Sequence, residues 1–297
     1  MKTAREAAAA LGPIGVWTFE LERMTAADEG RFAQRIESLG FKALWIPESL
    51  GSKEIFAHSS ILLAATSRLI IASGIANIWA RDPVAMANGA RALTEAYPGR
   101  FLLGLGVSHA PAVAARGSTY AKPLAHMRGY LDAMDGAPFT GPNRKDPPPP
   151  RVLAALGPQM LKLSAERTLG AHPYFVPIEH TAMARSELGP DALLAVEQAA
   201  TLETDPVKAR EIARRHMKRY LELDNYANNL RRLGWRDADI ANGGSDALVD
   251  AIVAWGDERA VIARADAHRK NGADHVCLQM LGEDLPGQLT RIAAALL

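Results

Sequence analysis

Several absences frame this chain before any motif does. Its 297 residues include one cysteine, Cys277. That excludes an internal disulfide and any cysteine-rich metal site, and it suits a reducing compartment. No sign of charge dominates: 34 basic side chains stand against 33 acidic ones, for a net charge of +1. No polyanion-binding surface is indicated, so nucleic acid is not an expected partner. No apolar run approaches the ~20 residues that cross a bilayer, so no membrane association is expected. Met1 to Leu11 carries five alanines, but Glu6 interrupts them and the apolar part is short for a signal peptide. A short surface helix in a cytoplasmic protein is the expectation. There is no G-x-S-x-G elbow for hydrolase chemistry. No histidine pair has the i, i+4 spacing of a helical metal site, so no metal centre is expected.

What is present is alternation. Short runs rich in branched residues, such as Leu69 to Ile75 and Phe101 to Leu105, are apolar at both alternate sets of positions. They read as strands buried on both faces. Between those two, Asp82-Pro83 starts a helix, because aspartate caps the first turn and proline has no N–H to waste there. Pro98-Gly99 stops it. Further strands are read at Ile14–Phe19, Ala43–Ile46, Val152–Leu156, Ala171–Val176, Leu193–Leu202 and His275–Leu281. Eight strand–helix pairs result, with no fixed sequence period. A closed (β/α)8 barrel of the TIM type is preferred to an open doubly wound sheet. It would form one domain, residues 1–297, with a helical insertion (residues 224–256, Asn225 to Trp255 at its core) before the last strand. Ala137–Pro150, with its four prolines, reads as a surface excursion.

In such folds the loops after the strands hold the chemistry. Gly104-Leu105-Gly106-Val107-Ser108-His109 ends strand four. Its glycines suit either close backbone approach to a flat ligand or packing inside the barrel. Ala110-Pro111 argues against an immediate helix. Leu156-Gly157-Pro158-Gln159-Met160 is a strand, a turn and a helix start. The free N–H groups of Gly157, Gln159 and Met160 make a ready phosphate site. Ser73-Gly74-Ile75-Ala76-Asn77 places a glycine inside a buried strand, the mark of a bulge or of tight packing. Glu48 and Ser49 end strand two. His109 is the leading proton donor, since it alone follows a strand's carboxyl end; His275 opens its strand and belongs to the opposite face. Glu197, inside strand seven, needs a partner. Trp17, Phe19, Trp79 and Tyr174 are candidate walls of a pocket. Cys277 reads as a small core residue.

These pieces together resemble the luciferase-like monooxygenase superfamily, and within it the branch of oxidoreductases that use the deazaflavin coenzyme F420. The residues that carry this are Leu44–Glu48, Ser73–Asn77, Asp82–Ala85, Gly99–Val107, Ala154–Met160, Gly170–Phe175 and Gly272–Val276. The resemblance implies a deazaflavin or flavin, F420 or alternatively FMN, lying across the carboxyl ends of the strands. It implies a cis peptide at Gly74–Ile75 behind the ring, and a cofactor phosphate at Gly157, Gln159 and Met160. By the same resemblance Ser73, Gly74, Ile75, Asn77, Gly106, Val107, Ser108, Ala155 and Leu156 fall in the cofactor site, and Glu48 is a ring or substrate contact. Many deazaflavin members follow that glutamate with histidine, where this chain has Ser49. A homodimer and hydride transfer to or from a small organic substrate are implied. A reduced-FMN monooxygenase and a non-catalytic F420-binding protein are the alternatives.

Overall fold

The computed structural model describes residues 1–142 and 147–296. Part of the Ala137–Pro150 excursion, residues 143–146, lies outside the described residues.

In chain order the elements begin with α1 (Ala4–Leu11), β1 (Ile14–Trp17), α2 (Ala26–Ser38), β2 (Ala43–Ile46) and α3 (Ile55–Ala65). Strand β3 (Ile70–Ser73) resumes after a break as β4 (Ala76–Asn77), followed by α4 (Pro83–Ala96), β5 (Phe101–Gly106), α5 (Ala110–Ala114) and α6 (Pro123–Asp135). Next come β6 (Arg151–Leu153), α7 (Pro158–Arg167), β7 (Gly170–Ala171), α8 (Ile178–Leu188), β8 (Leu193–Thr201) and α9 (Pro206–Leu221). The insertion supplies α10 (Asp224–Arg232), α11 (Asp237–Ile240) and α12 (Asp246–Ile252). The chain then forms β9 (Ala254–Trp255), α13 (Glu258–Lys270), β10 (His275–Met280) and α14 (Leu285–Leu296).

All pairings are parallel. The strands run β10-β1-β2-β3-β5-β6-β7-β8, and β8 pairs back onto β10, with Cys277 opposite Glu197. This closes a barrel of eight strands; β4 and β9 are short additions to β5 and β8. Outward-facing Leu44, Ile71, Leu103, Val196 and Leu278 pack beneath the helices. Inward-facing Trp45, Ala72, Leu102, Val152, Ala195 and Cys277 fill the lumen. With both faces covered, the strands have no polar alternation to show, which is why they read as continuous apolar runs. Asp82 and Asp205 cap α4 and α9 as expected, each accepting two backbone N–H groups.

Four expectations need correcting. The first helix forms as expected and exposes Arg5, Glu6 and Ala9, but it is more than a surface element: Ala7 and Leu11 are fully buried with Trp45 and Cys277, plugging the amino-terminal end of the barrel. Burying Leu11 alone is worth about 2 kcal/mol, enough to hold a short helix that has little intrinsic stability. Second, Ala110-Pro111 opens α5 rather than blocking it, since proline in the first turn forgoes an N–H that the helix does not use. Third, strands six and five are shorter than read. Strand β7 stops at Ala171, because Pro173 has no N–H and Phe175 takes positive φ; β6 covers only Arg151–Leu153. Fourth, the end of the insertion is not helical: Ala254 and Trp255 form β9 against Ala200 and Thr201.

Candidate active site

A cavity of about 440 Å³ opens at the carboxyl ends of the strands. That is within the usual range for small-molecule sites. Its wall is built in strand order. Trp17 and Phe19 follow β1, Pro47 to Leu50 follow β2, and Gly74, Ile75 and Asn77 span the break between β3 and β4. Gly106 to His109 follow β5, Ala154 to Gly157 follow β6, with Met160 beyond them, and His172 and Tyr174 follow β7. From the opposite side α9 and α10 contribute Arg219, Tyr220, Asn225, Tyr226, Asn228 and Arg232. Among the described residues no group of histidine, cysteine, aspartate or glutamate is placed to hold a metal ion.

The floor is organised by the break in β3. The Gly74–Ile75 peptide bond is cis, the bond named from the resemblance. A methyl group on Gly104 would collide with the Ser73 carbonyl oxygen, and one on Gly106 with the Ile75 side chain. Both glycines therefore serve packing against the break, and Gly106 also reaches the cavity. Ser73 does not line the cavity: its Oγ donates to the Gly104 carbonyl and accepts from the Gly104 amide, both at 2.8 Å. It ties β3 to β5 from behind. Trp17 Nε1 and His172 Nε2 converge on Gly74, lying 2.5 and 3.1 Å from where a Cβ would stand. Both residues are buried, and neither atom has a protein partner. His172 Nδ1 donates to the Ala195 carbonyl (2.9 Å), so Nε2 carries the lone pair; burial pushes its pKa down to about 4 and keeps the ring neutral.

Glu48 reaches the cavity, but its carboxylate is spoken for. Arg81 grips both oxygens, and the Asn77 amide donates to Oε2 at 2.8 Å. Asn77 Oδ1 in turn accepts from the Trp79 amide (2.9 Å). This is a brace holding the ends of β2 and β4 together. It leaves Glu48 no vacant acceptor aimed at a ligand, and a positioning role fits it better than a catalytic one. Ser49 is tied to Glu22 through its amide and hydroxyl. Trp79 lies behind the wall: Nε1 donates to the Val107 carbonyl (2.9 Å) and the ring stacks on His126 (4.0 Å between centroids). Tyr174 lies in the wall, its hydroxyl joined to Tyr220 and Gln279. Glu197 sits inside the barrel. Oε2 accepts from the Phe175 amide (3.0 Å), Oε1 has no partner, and burial raises the pKa to about 8, so the group is an uncharged acid at neutral pH.

His109 lies three residues beyond β5 and occupies the N-cap position of α5 without a side-chain capping bond. Its Nδ1 meets Asn225 Oδ1 at 3.1 Å, which makes Nδ1 the protonated nitrogen and leaves Nε2 as the basic one. Burial holds its pKa below the ordinary histidine value; the bond to Asn225 offsets this, and nearby Arg219 adds to it. At the start of α7, Gly157 and Gln159 keep amides without protein partners among the described residues, while the side chain of Gln159 is exposed and outside the cavity wall. Met160 departs from expectation: its amide donates to the Gly157 carbonyl (3.1 Å) and is used within the helix. The Arg232 guanidinium lies about 3.7 Å from a Cβ position on Gly157. A helix amino terminus, two amides and a cation thus share one corner.

The insertion residues were missed by motif reading. Asn225, Asn228 and Arg232 recur at helical spacing, so a polar face of α10 was legible. Which strand ends it would cover was not.

The sequence model of the luciferase-like monooxygenase family matches residues 7–275. A 5,10-methylenetetrahydromethanopterin reductase of Methanolobus tindarius is 26% identical over 207 residues, 61% of this chain and 64% of that protein. The chain therefore spans less than two thirds of that relative's length. Among solved structures, an F420-dependent secondary alcohol dehydrogenase in complex with an F420-acetone adduct superposes with a TM-score of 0.76 at 17% identity, covering 95% of this chain and 97% of that one. The oxygenating constituent of 3,6-diketocamphane monooxygenase from Pseudomonas putida, in complex with FMN, gives 0.66 at 17% identity, covering 94% and 96%. Barrel topology, the broken third strand and the extent of the sequence match agree: the chain belongs to the luciferase-like monooxygenase family.

Proposed function

We propose that this protein is an oxidoreductase that transfers a hydride between coenzyme F420 and a small organic substrate, with the whole chain acting as one barrel and residues 224–256 roofing its mouth. The observation that carries the reading is one cavity with two complementary ends. The corner of Gly157, Gln159 and Arg232 suits a cofactor's phosphate. The floor at Gly74, flanked by Trp17 Nε1 and His172 Nε2, suits a flat ring with polar edges, because a buried donor and acceptor left unpaired are unfavourable until something meets them. Bound there, a deazaflavin supplies a carbon able to accept or give a hydride.

The chain's own residues do the rest. Trp17, Ile75 and Val107 shape the slot, and the Glu48–Arg81 brace fixes its edge. Tyr174 and Tyr226 keep water from the ring region. His109, neutral and with a free Nε2, takes the proton from a substrate hydroxyl as the C–H hydride departs, leaving a carbonyl; the reverse direction returns that proton from Nε2 to the carbonyl oxygen. Burial favours the neutral ring, so the oxidising direction gains at pH 7.

The test is a titration with oxidised and reduced F420 and, separately, with FMN. F420 should bind with a Kd well below about 1 mM. Binding of FMN alone, with oxygen uptake when it is reduced, would replace the proposal by a flavin monooxygenase. Tight F420 binding without turnover of any alcohol or carbonyl would leave a binding protein.

A further inference from the structure

The cavity wall carries three arginines, Arg116, Arg219 and Arg232, against a single acid, Glu48. Glu48 is neutralised by Arg81, which is not itself in the wall. Elsewhere Arg167, Arg185, Arg210 and Arg214 each meet an aspartate, while Arg100 and Arg264 bond to backbone carbonyls. Arg116, Arg219 and Arg232 meet no carboxylate among the described residues.

Their environments differ. Arg232 stands against Gly157, in the corner assigned to the cofactor. Arg116 is half-buried in the connection after α5, and its Nε is fully covered with no acceptor. A covered guanidinium N–H without an acceptor is unfavourable in the free protein, so Arg116 gains if its guanidinium shifts toward an oxyanion in the cavity that it lines. Arg219, exposed near the end of α9, is near enough to His109 to oppose its protonation, and its ring contact is with Tyr220 beside it. Two unpaired cations therefore share a cavity with the proposed acid/base.

We infer that the substrate carries an anionic group, a carboxylate or phosphate, which Arg116 and Arg219 hold beside His109 and apart from the cofactor's own anionic corner. Guanidinium groups suit such oxyanions because their N–H fork matches two oxygens at once. An anion there would also offset the effect of Arg219 on His109, easing the proton transfer only when the correct substrate is present. The inference takes the location of the substrate from the redox reading above, yet anion binding can be measured without it.

The experiment is calorimetric titration of the purified protein, alone and with F420 or FMN added, using inorganic phosphate, malonate and succinate against the uncharged malonamide and succinamide. The diacids or phosphate should bind about tenfold or more tightly than the diamides, and the affinity should fall with added salt. Arg116→Gln and Arg219→Gln should each weaken anion binding about tenfold and change cofactor affinity less than about threefold. Arg232→Gln should weaken cofactor binding about tenfold and, with the cofactor corner filled, change malonate and succinate binding less than about threefold. Equal binding of diamides and diacids would overturn the inference. So would loss of cofactor affinity in Arg116→Gln and Arg219→Gln matching that in Arg232→Gln, since the pair would then serve the cofactor's tail. Failure of F420 to bind while anions still bind would remove the redox reading and leave the anion site standing.

Discussion

The two ends of the barrel use the same residue types to opposite purpose. At the amino-terminal end Trp45 Nε1 donates to His275 Nε2 (3.1 Å), and His275 Nδ1 donates to the Gly12 carbonyl (2.7 Å). At the carboxyl end His172 holds the same tautomer through Ala195, but its Nε2 and the N–H of Trp17 meet nothing in the protein. Only one ring separates the two arrangements, for Trp45 stacks on His172 with centroids 4.2 Å apart. Both histidines are buried and held near pKa 4 by burial. The difference teaches that burial and a lowered pKa do not mark a functional residue here. What sets His172 and Trp17 apart is an unpaired atom in a residue of the cavity wall, for Ser59, His180 and His216 also keep covered atoms without partners but lie away from that wall.

The largest test of that contrast is chemical. His109→Gln should lower kcat by about 10²–10⁴-fold with little change in F420 affinity by fluorescence titration, whereas His275→Gln should reduce stability far more than it alters kcat in the surviving folded enzyme. Equal catalytic losses in the two would erase the distinction. Next is the seam beneath the open end. Gly104→Ala should destabilise the fold by about 3 kcal/mol in urea unfolding, because the Ser73 carbonyl occupies the space that a methyl would need. A third pair is more direct. Trp45→Phe deletes an N–H that His275 uses and should lose about 1–3 kcal/mol. Trp17→Phe deletes one that nothing uses; it should stay within about 0.5 kcal/mol of the parent in stability while weakening cofactor binding.

Much of the carboxyl end was legible because strand endings are local. Gly74, Gly106 and Gly157 were marked by the short-range chain chemistry around them, whereas Ile75 and Asn77 came from the family resemblance alone. What escaped depends on contacts far apart in sequence. Nothing near Glu48 shows that Arg81 will claim it, nor does Trp79 reveal that His126 and Val107 will hold it behind the wall. Arg219 and Arg232 sit on helices whose place over the mouth is set by packing of the insertion, through Tyr226 and Leu230. The alanine-rich start was read incompletely for a different reason: Arg5 and Glu6 mark an outer face, but alanine suits buried and exposed positions alike, so what the inner face covers was not legible.

A separate test, read from a slope with pH, concerns the residue between the two ends. Glu197 stands in register with Cys277, with one oxygen paired and one not. Its folded pKa of about 8 lies above the ordinary 4.5. Below pH 4.5 the group is protonated in both states and its contribution is intact. Between 4.5 and 8 the unfolded chain ionises while the folded one keeps its proton, so stability should fall as pH rises, by at most about 1.4 kcal/mol per unit, and level off above 8. Glu197→Gln removes that slope. The buried histidines pull the other way, losing stability as pH falls from 6.5 toward 4, but they do so in both proteins and cancel in the difference. The stability of Glu197→Gln relative to the parent should therefore climb steadily from pH 4.5 to 8 in paired urea titrations. A flat difference would mean that Glu197 is ionised in the folded protein and that solvent reaches Oε1, which would put the open end of the barrel one layer deeper than Tyr174.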